Sequence, residues 1–173
     1  SSAASDVYKR QMRWRYLLLC LPVAILVLNA VLWSTGGAHL AESAPAGWQW
    51  WMVVILLFSP WQAAGEEFFF RGFLMQGMGS LVPQRWVVVF ASALVFAIFH
   101  GTQNMWLFLD RFGFGLLAGA LVVLTGGLEA AMAAHVVNNV FAFSYAALGE
   151  GGVAGARALH EISPIQMLFD WLS

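Results

Sequence analysis

Two adjacent glutamates and an arginine follow directly on a long apolar stretch of the sequence, at positions Glu66, Glu67 and Arg71. If the chain is helical here, Glu67 and Arg71 lie on one face, so Arg71 can keep Glu67 ionised. Glu66 points about 100° away from that face and has no such partner. A partly desolvated carboxylate without a partner suits general-base catalysis, whereas the paired carboxylate has a structural role.

Two histidines and an asparagine add further groups that could act on a polar substrate. His135 and Asn139 have the spacing of one helical turn, so both could donate hydrogen bonds to one developing oxyanion. His100 ends an apolar stretch that is short for a membrane span, and its neutral imidazole could hold and polarise a water molecule beside Glu66. Together these groups predict a peptidase that activates water.

Each of these groups also has a purely structural interpretation. Glu67 and Arg71 could form a salt bridge at a helix end. His100 could end a helix at the membrane interface, and the pair of His135 and Asn139 could hold two helices together by hydrogen bonds. The occurrence of all three groups in this order along the chain favours the catalytic interpretation.

The remaining charged and aromatic residues are assigned structural roles. Glu129 stands at the start of a predicted helix, where a carboxylate is favourable. Asp110 and Arg111 are interpreted as solvated charges in a short polar loop before the fourth helix. The aromatic cluster is expected to make packing or lipid contacts; it comprises Phe68, Phe69, Phe70 and Phe73. His39 and His160 lie in predicted loops and receive no role.

The composition shows which solvent surrounds these groups. The chain has 173 residues, of which 61% are hydrophobic and only 10% are charged. A soluble domain has about 25% charged residues, so the sequence predicts an integral membrane protein surrounded by lipids. The net charge is −1, and the absence of a basic run beyond the N-terminal cluster indicates that nucleic acid is not a partner.

Five apolar stretches predict an all-α fold, a polytopic transmembrane bundle of about five or more helices. They cover residues 16–33, 48–64, 86–99, 112–124 and 128–148. The fourth stretch is rich in small residues, and we expect Gly113, Gly115 and Gly119 to allow close helix approach. Because the basic residues Lys9, Arg10, Arg13 and Arg15 precede the first helix, the N-terminus is expected in the cytoplasm.

The domain organisation predicted from the sequence is simple. Residues 1–11 lack an initiator methionine and are interpreted as an expression or assembly remnant. Residues 12–173 form one transmembrane domain with a core at 48–148. The apolar pattern of residues 159–173 breaks off at the end of the sequence, so we expect a truncated further helix or an interfacial segment there. The single cysteine, Cys20, excludes an intramolecular disulfide.

Three motifs in a fixed order identify a resemblance to a known family. They are Glu-Glu-x3-Arg at 66–71, Phe-x3-His at 96–100 and His-x3-Asn at 135–139. The chain resembles the CPBP family of intramembrane proteases, also called the ABI or type II CAAX prenyl endopeptidase family, over residues 48–148. The glycine-rich stretch 112–127 is similar to the family's helix and turn before the last motif.

The resemblance implies a reaction and a role for each motif residue. Glu66, helped by His100, activates the attacking water, and Arg71 orients Glu67. The oxyanion hole is formed by His135 and Asn139. The implied reaction is endoproteolysis of a membrane-anchored peptide or protein, which in eukaryotic members ends in a prenylated CAAX sequence. The implied location is a bacterial cytoplasmic membrane, crossed several times.

Three alternatives to this mechanism remain open on the sequence. Members of the family are often called metalloproteases, and one glutamate with two histidines is a known zinc set. The sequence lacks HExxH, and Asn139 is a poor zinc ligand, so a metal-free mechanism is favoured and zinc is the alternative. A non-catalytic membrane binding or bacteriocin-immunity factor is the second alternative. A proton or ion relay in a transporter is the third, although the sequence shows no internal repeat.

Overall fold

The computed structural model describes residues 12–34, 44–101 and 105–149, and all regular structure in these ranges is helical. The helices are α1 (Trp14–Ser34), α2 (Trp48–Glu67), a π-helix (Phe68–Leu74), α3 (Met75–Leu81), α4 (Arg85–Phe99), α5 (Met105–Thr125) and α6 (Glu129–Leu148). Because α2, the π-helix and α3 follow one another without a break, the described ranges hold five continuous helices. The predicted all-α bundle is confirmed. His39, His160 and the terminal segments 1–11 and 150–173 lie outside the described residues.

The second helix continues beyond its apolar residues 48–64 into the polar stretch, as the spacing of Glu67 and Arg71 predicts, and runs through the π-helix to residue 81. One predicted helix boundary was wrong. The predicted fourth helix is α5 of the structure, and it begins at Met105 rather than at residue 112. Asp110 and Arg111 are therefore helical residues and not loop residues. Asp110 is only 1% exposed, and its Oδ2 accepts a hydrogen bond from Arg111 Nη1 at 2.8 Å. The pairing of neighbouring charges lets the helix continue where the charge pattern alone suggests a break.

Three of the described helices are long and apolar enough to cross a membrane, namely α1, α5 and α6. α4 is apolar but shorter, and the last turns of α2 carry polar and charged side chains. α1 buries only Leu28 and Leu32, and most of its other large apolar side chains are exposed. Such an apolar outer surface is what a lipid environment requires. The chain is therefore a membrane protein.

α6 lies at the centre of the bundle, against α1, α2 and α5, while α4 packs mainly against α5. Leu28 and Leu32 near the end of α1 form one apolar cluster with Val137 in α6. The starts of the same two helices are joined by Arg13 and Glu129. α1 and α6 therefore run in the same direction. The larger apolar cluster fills the space between the π-helix, α4 and α5, and it includes Phe70, Val89, Phe96, Phe114 and Val122.

Small residues bring α4 and α5 close together. The sequence predicts this role for three glycines of α5, and the structure shows it for Gly115 and Gly119. A Cβ on Gly115 would lie 2.9 Å from both Cα and Cβ of Ala93. A Cβ on Gly119 would lie 2.8 Å from Cγ1 of Val89. Both distances are shorter than carbon atoms tolerate, so only glycine permits this helix separation.

A network of hydrogen bonds joins the start of α1 to the start of α6. Arg13 donates from its backbone N and its Nε to Glu129 Oε1, at 2.9 and 3.0 Å, and from Nη2 to Oε2 at 2.7 Å. Nη2 also donates to the carbonyl oxygen of Thr125, at 3.3 Å, at the end of α5. The side-chain hydrogen bond to Glu129 raises the pKa of the Arg13 guanidinium, although partial burial opposes this. Glu129, predicted as a favourable N-terminal carboxylate, thus also binds a cation on another helix.

Substitution of Gly115 by alanine is expected to destabilise the bundle. The new methyl group meets the backbone of Ala93, so the helices must separate, at a cost of about 1–3 kcal/mol. Gly77→Ala is the matched control, because a Cβ at Gly77 has no atom within 4 Å and alanine is the better helix former. Thermal unfolding in detergent, followed by circular dichroism, measures both variants. Equal midpoints for Gly115→Ala and the wild type would contradict the close packing.

Substitution of Arg13 by methionine is expected to lower stability by about 1–3 kcal/mol, because Glu129, only 4% exposed, loses its two side-chain hydrogen-bond donors and keeps only the backbone donor of residue 13. The double variant Arg13→Met with Glu129→Leu should recover part of the loss, since no unpaired charge is then buried. Denaturant unfolding of the four proteins in a double-mutant cycle measures the coupling. Additive effects would show that the two side chains do not stabilise one another.

Candidate active site

A fully buried ion pair lies where α2 meets the π-helix. Glu67 and Arg71 are both 0% exposed, and Arg71 Nη1 donates to Glu67 Oε1 at 2.7 Å. Arg71 Nη2 donates to the carbonyl oxygen of Gly115 in α5, at 3.2 Å. The guanidinium carbon lies 4.5 Å from the centre of the Phe96 ring, a cation–π contact from α4. The buried charges are therefore bound to one another and to two neighbouring helices, as charges inside a membrane require.

His135 is the third member of this buried group. Its Nδ1 lies 2.7 Å from Glu67 Oε1, the same oxygen that Arg71 binds. A carboxylate held beside a guanidinium is ionised and only accepts hydrogen bonds, so Nδ1 of His135 must carry the proton. When the ring is neutral, its Nε2 is therefore an acceptor. Glu67 thus fixes both the orientation and the tautomer of His135.

Glu66 faces two histidines from two different helices. Its Oε2 lies 3.7 Å from Nε2 of His100, at the end of α4, and 3.7 Å from Nε2 of His135 in α6. Nδ1 of His100 lies 2.8 Å from the carbonyl oxygen of Phe96, which can only accept, so Nε2 of His100 is also an acceptor in the neutral ring. Three acceptor atoms therefore converge on one region. The Glu66 and His100 side chains remain 23% and 30% exposed, whereas the Glu66 Oε2 atom itself is buried and has no hydrogen-bond partner among the described residues.

Three converging acceptors are suited to a small group that donates hydrogen bonds. A separation of 3.7 Å is too long for a direct hydrogen bond, and a water molecule beside the pair could donate one hydrogen to the carboxylate and the other to one imidazole. Glu66 can then accept a proton from that water, and a neutral imidazole can orient it. The geometry supports the chemistry of water activation, with Glu66 as the base.

The other oxygen of Glu66 is bound by a residue that the sequence reasoning missed. Gln62, one helical turn earlier in α2, donates from Nε2 to Glu66 Oε1. The Gln62 Oε1 accepts in turn from Asn139 Nδ2 of α6, at 3.3 Å. The spacing of Gln62 and Glu66 on one helix face could have indicated this contact.

The π-helix and the end of α4 position these side chains. The π-helix begins directly after Glu67 and contains Arg71, and such wider turns are common at functional sites. The Ser92 hydroxyl of α4 donates to the carbonyl oxygen of Phe70, at 3.2 Å. The Phe96 ring contacts the His100 ring, with centroids 4.4 Å apart. The same Phe96 ring also contacts the Arg71 guanidinium. Phe70 packs inside the bundle, whereas Phe68, Phe69 and Phe73 are exposed on the apolar surface, as the sequence predicts.

The structure brings all six predicted site residues into one region, in a different arrangement from the predicted one. The predicted free glutamate, Glu66, is bound by Gln62 and faces both histidines. His135 and Asn139 were predicted to act side by side. In the structure His135 binds Glu67 and Asn139 binds Gln62, and the joint role of His135 and Asn139 stays a prediction. The Gly115 carbonyl and the Phe96 ring, which both contact Arg71, could not be assigned from the motifs.

The site offers one carboxylate and two imidazoles as possible metal ligands. Among residues 12–34, 44–101 and 105–149, no three His, Cys, Asp or Glu side chains are arranged to hold a metal ion. Glu66, His100 and His135 come nearest, because both Nδ1 atoms are bound elsewhere and both Nε2 atoms face the same carboxylate oxygen. No catalytic step is therefore derived through zinc, which remains an alternative for experiment.

Comparison with known proteins supports the resemblance that the motifs suggest. The profile described as type II CAAX prenyl endopeptidase Rce1-like matches residues 45–141, which include all six predicted site residues. The uncharacterized protein YyaK of Bacillus subtilis (strain 168) is 26% identical over 145 residues, a match that covers 76% of this chain and 48% of YyaK. The chain thus spans about half the length of this relative. No solved structure matches the chain.

Substitution of Arg71 by methionine is expected to destabilise the protein more than any surface change, by about 3–5 kcal/mol, because it leaves the Glu67 charge buried and unpaired. Combining it with Glu67→Gln should restore much of the stability, since the buried negative charge is removed as well. Arg85→Met, which removes an exposed guanidinium at the start of α4, is the control. Thermal unfolding in detergent measures all four proteins, and a double variant as unstable as the single one would contradict the pairing.

Proposed function

From the membership of this chain in the type II CAAX prenyl endopeptidase Rce1-like family, we propose that it is an intramembrane endopeptidase in which Glu66 activates water. The observation that carries this proposal is the convergence of Glu66 Oε2 with two histidine Nε2 atoms, each 3.7 Å away. The Nδ1 contact of His100 fixes its tautomer, so its neutral ring presents Nε2 as an acceptor to the second hydrogen of the bound water. The Glu66 and His100 side chains are partly exposed, so a substrate can approach the edge of this region.

The reaction begins with the water bound between Glu66 and His100. Glu66 accepts one proton as the water oxygen forms a bond to the carbonyl carbon of the scissile peptide. The tetrahedral intermediate carries the negative charge on the former carbonyl oxygen. As the carbon–nitrogen bond breaks, the proton on Glu66 passes to the leaving amine. One water molecule is consumed, and a carboxyl terminus and an amino terminus are produced.

The oxyanion is assigned to His135 and Asn139. A neutral His135 ring has an acceptor at Nε2, so in this role His135 is an imidazolium, whose extra proton comes from solvent water before the attack and stays on the ring throughout the cycle. Glu67 stabilises the resulting imidazolium, because its Oε1 lies 2.7 Å from Nδ1. Asn139 needs no such change, since its amide nitrogen is always a donor. In this role Glu67 acts on the reaction through His135, and Arg71 acts through Glu67.

The substrate proposed for this site is a membrane-anchored peptide or protein, including one with a prenylated CAAX end. The membrane helices and the apolar outer surface favour a substrate that arrives in the lipid rather than from water. We further propose a bacterial cytoplasmic membrane, with the N-terminus in the cytoplasm. α1 and α6 then both begin on the cytoplasmic side, close to the Arg13 and Glu129 contact.

The Glu66→Gln variant is expected to reduce cleavage of membrane-anchored and prenylated reporter peptides by at least about 100-fold, because an amide cannot accept the proton of the attacking water. The replacement keeps the size and the hydrogen-bonding reach of the side chain, so the unfolding midpoint should not change. Cleavage is measured with purified protein in lipid vesicles, with and without a strong zinc chelator. Gln84→Ala, at an exposed position before α4, is the control variant.

The outcomes separate the mechanisms. Cleavage that is lost in Glu66→Gln and unaffected by chelator supports the glutamate peptidase. Loss by chelation, with recovery on addition of zinc, would instead establish the metal-dependent alternative. Intact wild-type protein that cleaves no reporter would contradict the peptidase and point to a non-catalytic membrane binding factor.

A further inference from the structure

Gln62 connects two of the assigned site residues, and its amide can do so in only one orientation. The carboxylate oxygen Glu66 Oε1 only accepts, so the Gln62 nitrogen must face it. The Gln62 oxygen then faces Asn139 and accepts from its Nδ2 at 3.3 Å. Gln62 itself is exposed and lies outside the three sequence motifs.

The orientation of Gln62 has a consequence for each neighbour. With Oε1 of Glu66 bound, Oε2 is the oxygen that faces the two histidines. For Asn139, the Gln62 oxygen selects the rotamer in which the amide nitrogen, rather than the oxygen, faces α2. One N–H of that nitrogen binds Gln62, and the second can donate to a substrate. A reversed Asn139 amide would present an acceptor to the oxyanion and repel it.

We propose that Gln62 is a positioning residue, which aligns the Glu66 carboxylate for attack and keeps the Asn139 amide in its donor orientation. The proposal rests on the proposed peptidase function and deepens it. Gln62 acts on the reaction only through these two neighbours. Because it is exposed, its contribution to the stability of the fold is small.

The test compares the wild type with Gln62→Leu, Gln62→Glu and Gln76→Leu in the reporter assay. Gln62→Leu removes both hydrogen bonds. We expect kcat to fall about 10- to 100-fold, because a small misplacement of a catalytic group lowers the rate by such a factor. KM should stay within about 2-fold of the wild-type value. Gln62→Glu keeps the acceptor for Asn139 but places a second carboxylate against Glu66, so its kcat should also fall. Gln76→Leu is the matched control on α3, in the same continuous helix, and should keep the wild-type kcat.

A double-mutant cycle then tests the connection to Asn139. If Gln62 acts partly through Asn139, the combined Gln62→Leu and Asn139→Ala variant should lose less activity than the product of the two single losses. Thermal unfolding verifies that each protein is folded. If Gln62→Leu proves unstable, the kcat of Gln62→Glu tests the positioning role, because this variant keeps the shape of the side chain.

The results distinguish this proposal from the proposed function. A wild type that cleaves the reporters, with folded Gln62 variants of unchanged kcat, would overturn the positioning role and leave the peptidase standing. A reduction confined to KM would also overturn it, because it would assign Gln62 to substrate binding. A wild type without any cleavage would overturn the peptidase, and the positioning role with it.

Discussion

The structure depends on the burial of one ion pair, Glu67 with Arg71. Both side chains are completely inaccessible, in a bundle whose surroundings are lipid. A buried charge is tolerated when partners compensate it, and here Glu67 Oε1 and both Nη atoms of Arg71 are bound, whereas Glu67 Oε2 and Arg71 Nε have no hydrogen-bond partner among the described residues. His135 of α6 binds Glu67, while the Gly115 carbonyl of α5 and the Phe96 ring of α4 contact Arg71. The pair thus fixes four helical segments relative to one another, and the reactive groups are attached to the same segments.

Two consecutive glutamates acquire different chemistry because successive residues of a helix face different directions. Glu67 turns inward, where it accepts hydrogen bonds from Arg71 and His135. Glu66 turns toward a partly open region, where its side chain is 23% exposed and faces two imidazoles. The inner carboxylate can orient a histidine, and the outer one can exchange a proton. This division follows from local geometry, and the environment of each carboxylate determines its role.

Much of the site was predictable from residue spacing, because a helical turn brings residues four apart together. The contact of Glu67 with Arg71 and the separation of Glu66 from it follow from that rule, and the small residues of α5 predict its close approach to α4. Contacts between helices were not predictable from spacing. The pairing of His135 with Glu67, and of Asn139 with Gln62, depends on the rotation of α6 against α2, which no local pattern encodes. The π-helix also has no signal in a single sequence, and the charges of Asp110 and Arg111 concealed the true start of α5.

The direction of the hydrogen bonds favours hydrolysis over proton conduction. Arg71 and His135 donate to Glu67, Gln62 donates to Glu66, and Asn139 donates to Gln62, so the donors are directed to the carboxylates. On the inner side this network ends at Arg71, whose guanidinium does not release its proton in a protein. A relay needs groups that accept a proton on one side and release it on the other, and Arg71 interrupts any such path through Glu67. The acceptors that remain are Glu66 Oε2 and the Nε2 atoms of the two neutral rings, and in the proposed reaction a water supplies the donor and a peptide carbonyl supplies the carbon to be attacked.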